Sequence, residues 1–258
     1  MQTAAEQGQF TPLYRGYALA LLVVVYVFNF IDRSILGILV QPIKEDLGVS
    51  DTMMGFLGGI AFATFYTVLG IPIARLADKG SRVNVLTVSL VLWSGATALC
   101  GMAQNFFHLL AARIGVAVGE AGGSPPSHSM ISDMFPPERR ATALAIYALG
   151  IPIGTMLGNL GGGWINEAFD WRTAFLVVGL PGVALAFVLR LTLREPPRGA
   201  AEGVQLVAGD APPVAEVFRY LWARRSFRYL SLGGSLHAFV GYGVSYWIPA
   251  MFSRSHGI

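Results

Sequence analysis

Seven apolar stretches, at positions 17–40, 53–74, 83–102, 107–131, 141–164, 173–193 and 227–252, alternate with short polar turns along the chain. Each runs for about 20–25 residues, enough to cross a ~30 Å hydrocarbon core as a helix. A helix satisfies its own backbone groups, which an open sheet in lipid cannot do. The pattern therefore predicts an all-α membrane protein. Its expected parts are a tail (1–16), a six-helix bundle (17–193), a linker (194–226) and a seventh transmembrane helix (227–258).

The polar positions set the orientation. Arg15, the turn with Arg75, Lys79 and Arg82, the turn with Arg139 and Arg140, and a segment with Arg190, Arg194, Arg198, Arg219, Arg224, Arg225 and Arg228 all fall on one side. Lys44, Arg172 and Arg254 fall on the other. An excess of cations marks the cytoplasmic face. The N-terminus is therefore expected inside, and spans one, three, five and seven run outward. After the Pro-, Ala- and Gly-rich part of the linker, "VFRYLWARRSFRYL" (217–230) interleaves aromatics with arginines. It fits an amphipathic helix lying on the cytoplasmic leaflet. "LGIPI" occurs at 69–73 and again at 149–153, in the second and fifth spans. Two three-helix repeats would pair those spans, and an odd helix number makes their topologies opposite.

Composition supports this class. The chain is 54% hydrophobic and 13% charged, where soluble domains carry about 25% charged residues; mean hydropathy is +0.57. The net charge of +3 does not call for nucleic acid, since the cations sit in membrane-flanking turns. Cys100 is the only cysteine, so neither an internal disulfide nor a cysteine metal cluster is expected. The polar start "MQTAAEQGQFTP" and the length of the first apolar run do not fit a cleavable signal peptide. His108, His128 and His237 match no metal-ligand spacing, and "SPPSHSMISD" lacks a nucleophile elbow or oxyanion motif. No metal centre, catalytic set or cofactor is expected.

Charges inside the spans are few: Asp32 and Arg33 in the first, Arg113 and Glu120 in the fourth. Each costs about 2.5–3.5 kcal/mol at a helix centre on insertion scales. Asp32 and Arg33 are adjacent, point about 100° apart, and so each needs a partner elsewhere. At 1.5 Å per residue, Asp32 and Arg33 lie about 5–7 Å outward of mid-span, Glu120 near mid-span and Arg113 about 9 Å outward. The four are expected to face one polar cavity between spans one and four, lined also by Tyr26 and Asn29. A static ion-pair knot is the alternative. An arginine there can hold an anionic headgroup as a fork, and a carboxylate can gain and lose a proton. Gly115, Gly119 and Gly123 in span four, and Gly150, Gly154, Gly158 and Gly162 in span five, form small-residue faces for close helix contact. Pro125, Pro126 and Pro152 are expected to bend their helices. Tyr242, Tyr246 and Trp247 form an aromatic set in span seven.

"ARLADKGSRVNVL" (74–86) resembles the signature loop of the major facilitator superfamily. Asp78, Lys79 and Arg82 match it; Ala74, Ser81 and Val83 stand where the signature commonly has Gly, Gly and a second cation. The resemblance implies a loop that latches two halves and regulates gating, together with Glu138 and Arg139 in "FPPERRATA". The glycine ladder with Pro152 resembles the span-five motif common in antiporters, without its Gly-Pro pair. Within the superfamily, "NFIDRSILG", "GVAVGEAGGSPP" and "TLREPPRG" resemble the Spinster-like branch. That implies proton-linked transport of an amphipathic organic anion such as a lysolipid or sphingosine-phosphate-like molecule, driven by a proton gradient. Asp32 and Glu120 would couple protons, and Arg33 and Arg113, with Asn29 and Tyr26, would hold substrate. A bacterial inner membrane is the expected location. Twelve spans are usual in the superfamily, so the resemblance implies a second half as partner beyond the seventh. A multidrug efflux antiporter and a non-transporting lipid-binding protein are the alternatives.

Overall fold

The computed structural model describes residues 10–202 and 213–256, and every regular element among them is helical. Expectations for residues 1–9 and for the middle of the linker fall outside the described residues. The chain divides into two compact units, 1–206 and 207–258.

The first unit contains α1 (Pro12–Ile38), α2 (Val40–Leu47) and α3 (Asp51–Gly55). A π-helical segment, Phe56–Ala61, then leads into α4 (Phe62–Lys79). The remaining helices are α5 (Arg82–Cys100), α6 (Phe106–Glu120), α7 (Ser124–Met134), α8 (Pro137–Ala148), α9 (Gly150–Ala168) and α10 (Trp171–Thr192). Side-chain caps fix several starts. Thr11, Ser50, Ser81, Asn105 and Asp170 accept from the amides of Tyr14, Met53, Asn84, His108 and Thr173, satisfying groups that the first helical turn leaves unpaired. The Thr11 cap starts α1 before Tyr17, so residues 12–16, expected in the tail, are helical.

The expected single helix over 107–131 is two helices. A turn at 121–123 separates α6 from α7, because Pro125 and Pro126 lack the amides that would bond back to residues 121 and 122. Pro152 acts likewise between α8 and α9, which part at Leu149. Among the described residues, five helical stretches are long and apolar enough to cross a membrane: Pro12–Ile38, Asp51–Lys79, Arg82–Cys100, Pro137–Ala168 and Trp171–Thr192. The fourth expected span falls outside this set because of its break. The seventh does so because serine, glycine and tyrosine dilute its apolar residues.

Helix pairing shows the internal symmetry. α1 packs on α9, α4 on α6, α5 on both α6 and α10, and α1 on α10. Exchanging span one with four, two with five and three with six maps α1–α9 onto α6–α4, and α5–α6 onto α10–α1. This is the contact pattern of two inverted three-helix repeats.

Glycines permit the tightest contacts. Gly150, Gly154, Gly158 and Gly162 are buried along α9. A side chain there would meet Tyr26, Val27, Ile31 and Ile35 of α1. Gly115 and Gly119 let α6 sit against Ala96 and Trp93 of α5.

The second unit contains α11 (Val214–Ala223) and α12 (Arg225–His256). Arg224, with extended backbone, separates them. The expected amphipathic helix over 217–230 is therefore cut in two at that residue.

Gly154→Val places a branched side chain where a Cβ alone would lie 2.5 Å from the Val27 carbonyl oxygen and 2.6 Å from the Phe30 Cβ. The expected result is a loss of about 1–3 kcal/mol, the usual cost of overpacking, read as a lower melting temperature in detergent. Gly161→Ala has open space around its new methyl. It should hold or raise the melting temperature, since alanine is favoured over glycine in a helix by about 1 kcal/mol.

Candidate functional site

The charges of the first and fourth spans meet inside the bundle. Arg33 of α1 donates from Nε to Oε2 of Glu120 of α6 at 2.5 Å. Arg113, two turns earlier on nearly the same face of α6, donates to the backbone carbonyl of Asp32 at 3.2 Å. Asp32, Arg113 and Glu120 are buried, at 1%, 3% and 0% exposure, whereas the Arg33 side chain keeps 19%.

Their hydrogen bonding is incomplete. Neither carboxylate oxygen of Asp32 has a hydrogen-bond partner among the described residues; nor do Oε1 of Glu120, Oδ1 of Asn29, Oγ1 of Thr97 or Nε of Arg113. Thr97 of α5 is the hydroxyl beside Asp32, Arg113 its opposite charge and Glu120 its like charge. Asn29 lies beside Glu120. Most buried polar groups in folded proteins are satisfied, so this group of orphaned atoms on three helices stands apart. Its unused acceptors and donors can take a proton, a water or a polar group of a ligand.

Aromatic rings surround the cations. The Arg33 guanidinium lies 4.8 Å from the Tyr66 ring centroid, 5.3 Å from Phe30 and 5.5 Å from Phe62; that of Arg113 lies 5.3 Å from Phe62. Such contacts are worth about 0.5–2 kcal/mol each. Phe62 and Tyr66 occupy the first turns after the π segment, a local rewinding that often accompanies functional sites. From Phe30 the aromatic stripe continues to Tyr26 (edge-on, 5.1 Å), to Tyr147 (stacked on Tyr26, 4.3 Å) and to His128 (edge-on, 5.1 Å).

The structure thus brings Asn29, Asp32, Arg33, Arg113 and Glu120 together, with Tyr26 two turns away in the adjoining stripe. Within the expected polar cluster between spans one and four, Asp32, Arg113 and Glu120 are buried and the Arg33 side chain is partly exposed. Only Arg33 is reached from outside. Thr97, Phe62 and Tyr66 join the site without a distinguishing signal in the sequence. The i, i+4 spacing of the two rings was the available signal, but it is shared with any helix core.

A second cluster gathers at the other end of α5. Arg82 is buried and ion-pairs with Asp133 of α7 and with Glu195, the latter at 2.7 Å. It also donates to the Ser129 hydroxyl (2.8 Å) and the Pro196 carbonyl (2.5 Å). Glu195 accepts from the Ser81 hydroxyl (2.8 Å) and the Val83 amide (2.9 Å) as well. Arg198 donates to the carbonyls of Ala77 and Gly80 at the end of α4, and the Gly199 amide donates to Asp133. Residues 195–199 therefore strap α4, α5 and α7 together. Asp78, Lys79, Glu138 and Arg139 remain exposed. Among the expected gating residues, Arg82 is spent inside this bundle, and the other four are the ones free to meet something outside it.

A family model described as Major Facilitator Superfamily matches residues 22–258. The chain belongs to the major facilitator superfamily. An MFS-type efflux pump of Mycolicibacterium smegmatis is 34% identical over 245 residues, covering 93% of this chain and 55% of the relative. Human Protein spinster homolog 1 is 31% identical over 246 residues, covering 92% and 45%. A crystal structure of a bacterial homolog to the human lysosomal transporter Spinster, inward-facing and unoccupied, superposes with a TM-score of 0.79 at 38% identity, covering 96% of this chain and 57% of that one. Peptide transporter POT, at 16% identity and a TM-score of 0.62, shares the fold. The chain is Spinster-like, and it spans about half the length of the curated relatives it matches.

The strap has a pH dependence. Burial pushes the Glu195 carboxyl up, but hydrogen bonds from the Val83 amide, Arg82 and Ser81 outweigh it and hold the group below the usual carboxylate value. The ionised form is the one held, so the strap's contribution is full above the ordinary carboxylate pKa and is lost as pH falls through the lowered one. Amide exchange at Val83, corrected for the intrinsic rate, should be slow at pH 7 and speed up towards pH 3. Glu195→Gln should exchange faster at pH 7 and show a flatter pH dependence than the wild type.

Proposed function

We propose that this chain supplies the N-terminal bundle and seventh helix of a proton-coupled secondary transporter. It moves an amphipathic organic anion, of lysolipid or sphingosine-phosphate type, by alternating access. The observation that carries the reading is the buried carboxylate of Asp32, near Thr97 and Arg113 but without a well-formed hydrogen bond, one residue from Arg33, the partly exposed member of the cluster. In this scheme an anionic headgroup competes with Glu120 for Arg33, taking its guanidinium as a fork. Glu120, released from its pair in an apolar surround, takes up a proton. Proton loss or gain at Asp32 changes its repulsion with Glu120 and its attraction to Arg113, and so biases the bundle between two states. The rings of Phe30, Phe62, Tyr66 and Tyr26 receive the apolar body. A second half of the protein closes the site from the other side, and rocking of the two halves exposes it alternately. The proton gradient is the energy source; no metal or cofactor takes part. The protein resides in a bacterial inner membrane with its N-terminus in the cytoplasm, as the arginine-rich turns favour.

Similarity to a mycolicibacterial MFS-type efflux pump favours a second reading, a multidrug efflux antiporter. The aromatic-caged Arg33 argues against a cationic drug in this site. The two separate in proteoliposomes made with the protein from its whole reading frame, under an imposed pH gradient, with radiolabelled lysophospholipid and a cationic dye. The expected result is gradient-driven lysophospholipid flux that falls tenfold or more in Arg33→Ala, on the order of the loss of one charge-assisted hydrogen bond. Asp32→Asn should keep binding and lose the dependence on the gradient. Dye flux unaffected by Arg33→Ala would establish the efflux reading instead. Binding without flux of either would leave a lipid-binding protein.

A further inference from the structure

The positions of α11 divide cleanly. Val214, Val217, Phe218, Leu221 and Trp222 follow the i, i+3, i+4, i+7, i+8 spacing of a single helical face, and Glu216, Arg219, Tyr220 and Ala223 occupy the other. Large apolar side chains on that face are exposed, with the Phe218 and Trp222 rings stacked at 5.6 Å. The cations are concentrated at one end. Arg224 lies at the break between the helices, and Arg225 and Arg228 in the first turn of α12. Against these and Arg219, the only acid from Val214 to His256 is Glu216. Arg224 is held in place: its Nη2 donates to the Tyr220 hydroxyl at 2.9 Å, and its guanidinium lies 4.8 Å from that ring.

A helix of low length, one apolar face and a cluster of arginines at its junction with a membrane helix suits a bilayer surface rich in anionic phospholipid. We propose that α11 is an anionic-lipid-dependent anchor. Its Val214–Trp222 face enters the headgroup–acyl boundary of the protein's own bilayer, while Arg219, Arg224, Arg225 and Arg228 engage lipid phosphates. The break at Arg224 is what lets the surface helix and α12 take different directions. A continuous helix over 217–230 would have put Arg224, Arg225 and Arg228 on the same face as Val217 and Leu221. Charge complementarity commits the surface to lipid: a protein partner would have to bring a dense acidic patch to an otherwise apolar helix face. The proposal is independent of the transported substrate and of which side of the membrane holds the N-terminus.

The test uses the protein from its whole reading frame in nanodiscs, which present the same lipid on both faces. A nitroxide is attached at Phe218→Cys, and at Glu216→Cys as the polar-face control, in a background with Cys100 and every other native cysteine replaced by Ala. Collision with oxygen and with a water-soluble nickel chelate is compared in phosphatidylcholine discs and in discs with one-third phosphatidylglycerol. In the latter, the label at 218 should favour oxygen and the label at 216 the chelate. The preference at 218 should fall in phosphatidylcholine alone and at high salt. An arginine near an anionic surface is worth roughly fivefold in partitioning, so the combined Arg219→Gln, Arg224→Gln, Arg225→Gln and Arg228→Gln variant should lose the lipid dependence. A label at 218 open to the chelate in both lipids would overturn the proposal. So would an equally strong oxygen preference at 218 in phosphatidylcholine and anionic discs that also survives in the four-arginine variant, since the face would then be covered without anionic lipid.

Discussion

A guanidinium and a carboxylate face each other across α1 and α6 in the middle of an apolar bundle, and much of the architecture serves that contact. Taking each ion out of water costs several kcal/mol even after relaxation. The 2.5 Å hydrogen bond between Arg33 and Glu120 offsets part of this, and the rings of Phe30, Phe62 and Tyr66 offset more. Those rings are brought to Arg33 by a π-helical segment and by the first span itself. Small residues then set the approach. α6 reaches α5 through Gly115 and Gly119, and α9 reaches α1 through its glycine ladder, so the helices bearing the charges are held at short range on both sides. A buried pair of this kind is weak evidence for stability alone, because an apolar replacement of similar volume usually does as well. Its surroundings are incomplete: Asp32, Glu120, Asn29, Thr97 and Arg113 all retain unused polar atoms.

The two ends of the bundle contrast. Around Arg82, a buried arginine meets two carboxylates, a hydroxyl and a carbonyl, and its acidic partners Asp133 and Glu195 are in turn satisfied by backbone amides. That end ties α4, α5 and α7 into one body. At the Arg33 end the network is left open. In the transport scheme proposed above, the tied end would let the bundle move as a unit while the open site changes partners.

The sequence showed where the costs lay. Four charges in long apolar runs stood out because lipid makes them expensive, and the glycine stripes stood out by spacing. The family followed from the loop 74–86 and the fragments around Asp32, Glu120 and Glu195. What stayed hidden depends on three-dimensional placement. Helix rotation decides that Arg113 reaches the carbonyl of Asp32 and not its carboxylate. Thr97, Phe62 and Tyr66 look like any residues of a buried helix until α4 and α5 are set against α1. The prolines at 125 and 126 signalled a bend, but the break falls in the turn before them, where the missing amides act. The strap at 195–199 closes on residues more than sixty positions away, which no local pattern announces.

The central claim is that the Asp32–Arg33–Arg113–Glu120 cluster exchanges protons when an anion takes Arg33. Calorimetric titration of the purified protein with a lysophospholipid, repeated in buffers of different ionisation enthalpy, counts the protons moved on binding. The account predicts a non-zero proton count in the wild type, reduced in both Asp32→Asn and Glu120→Gln while binding persists. A count of zero in the wild type, or the same count in all three proteins, would contradict it.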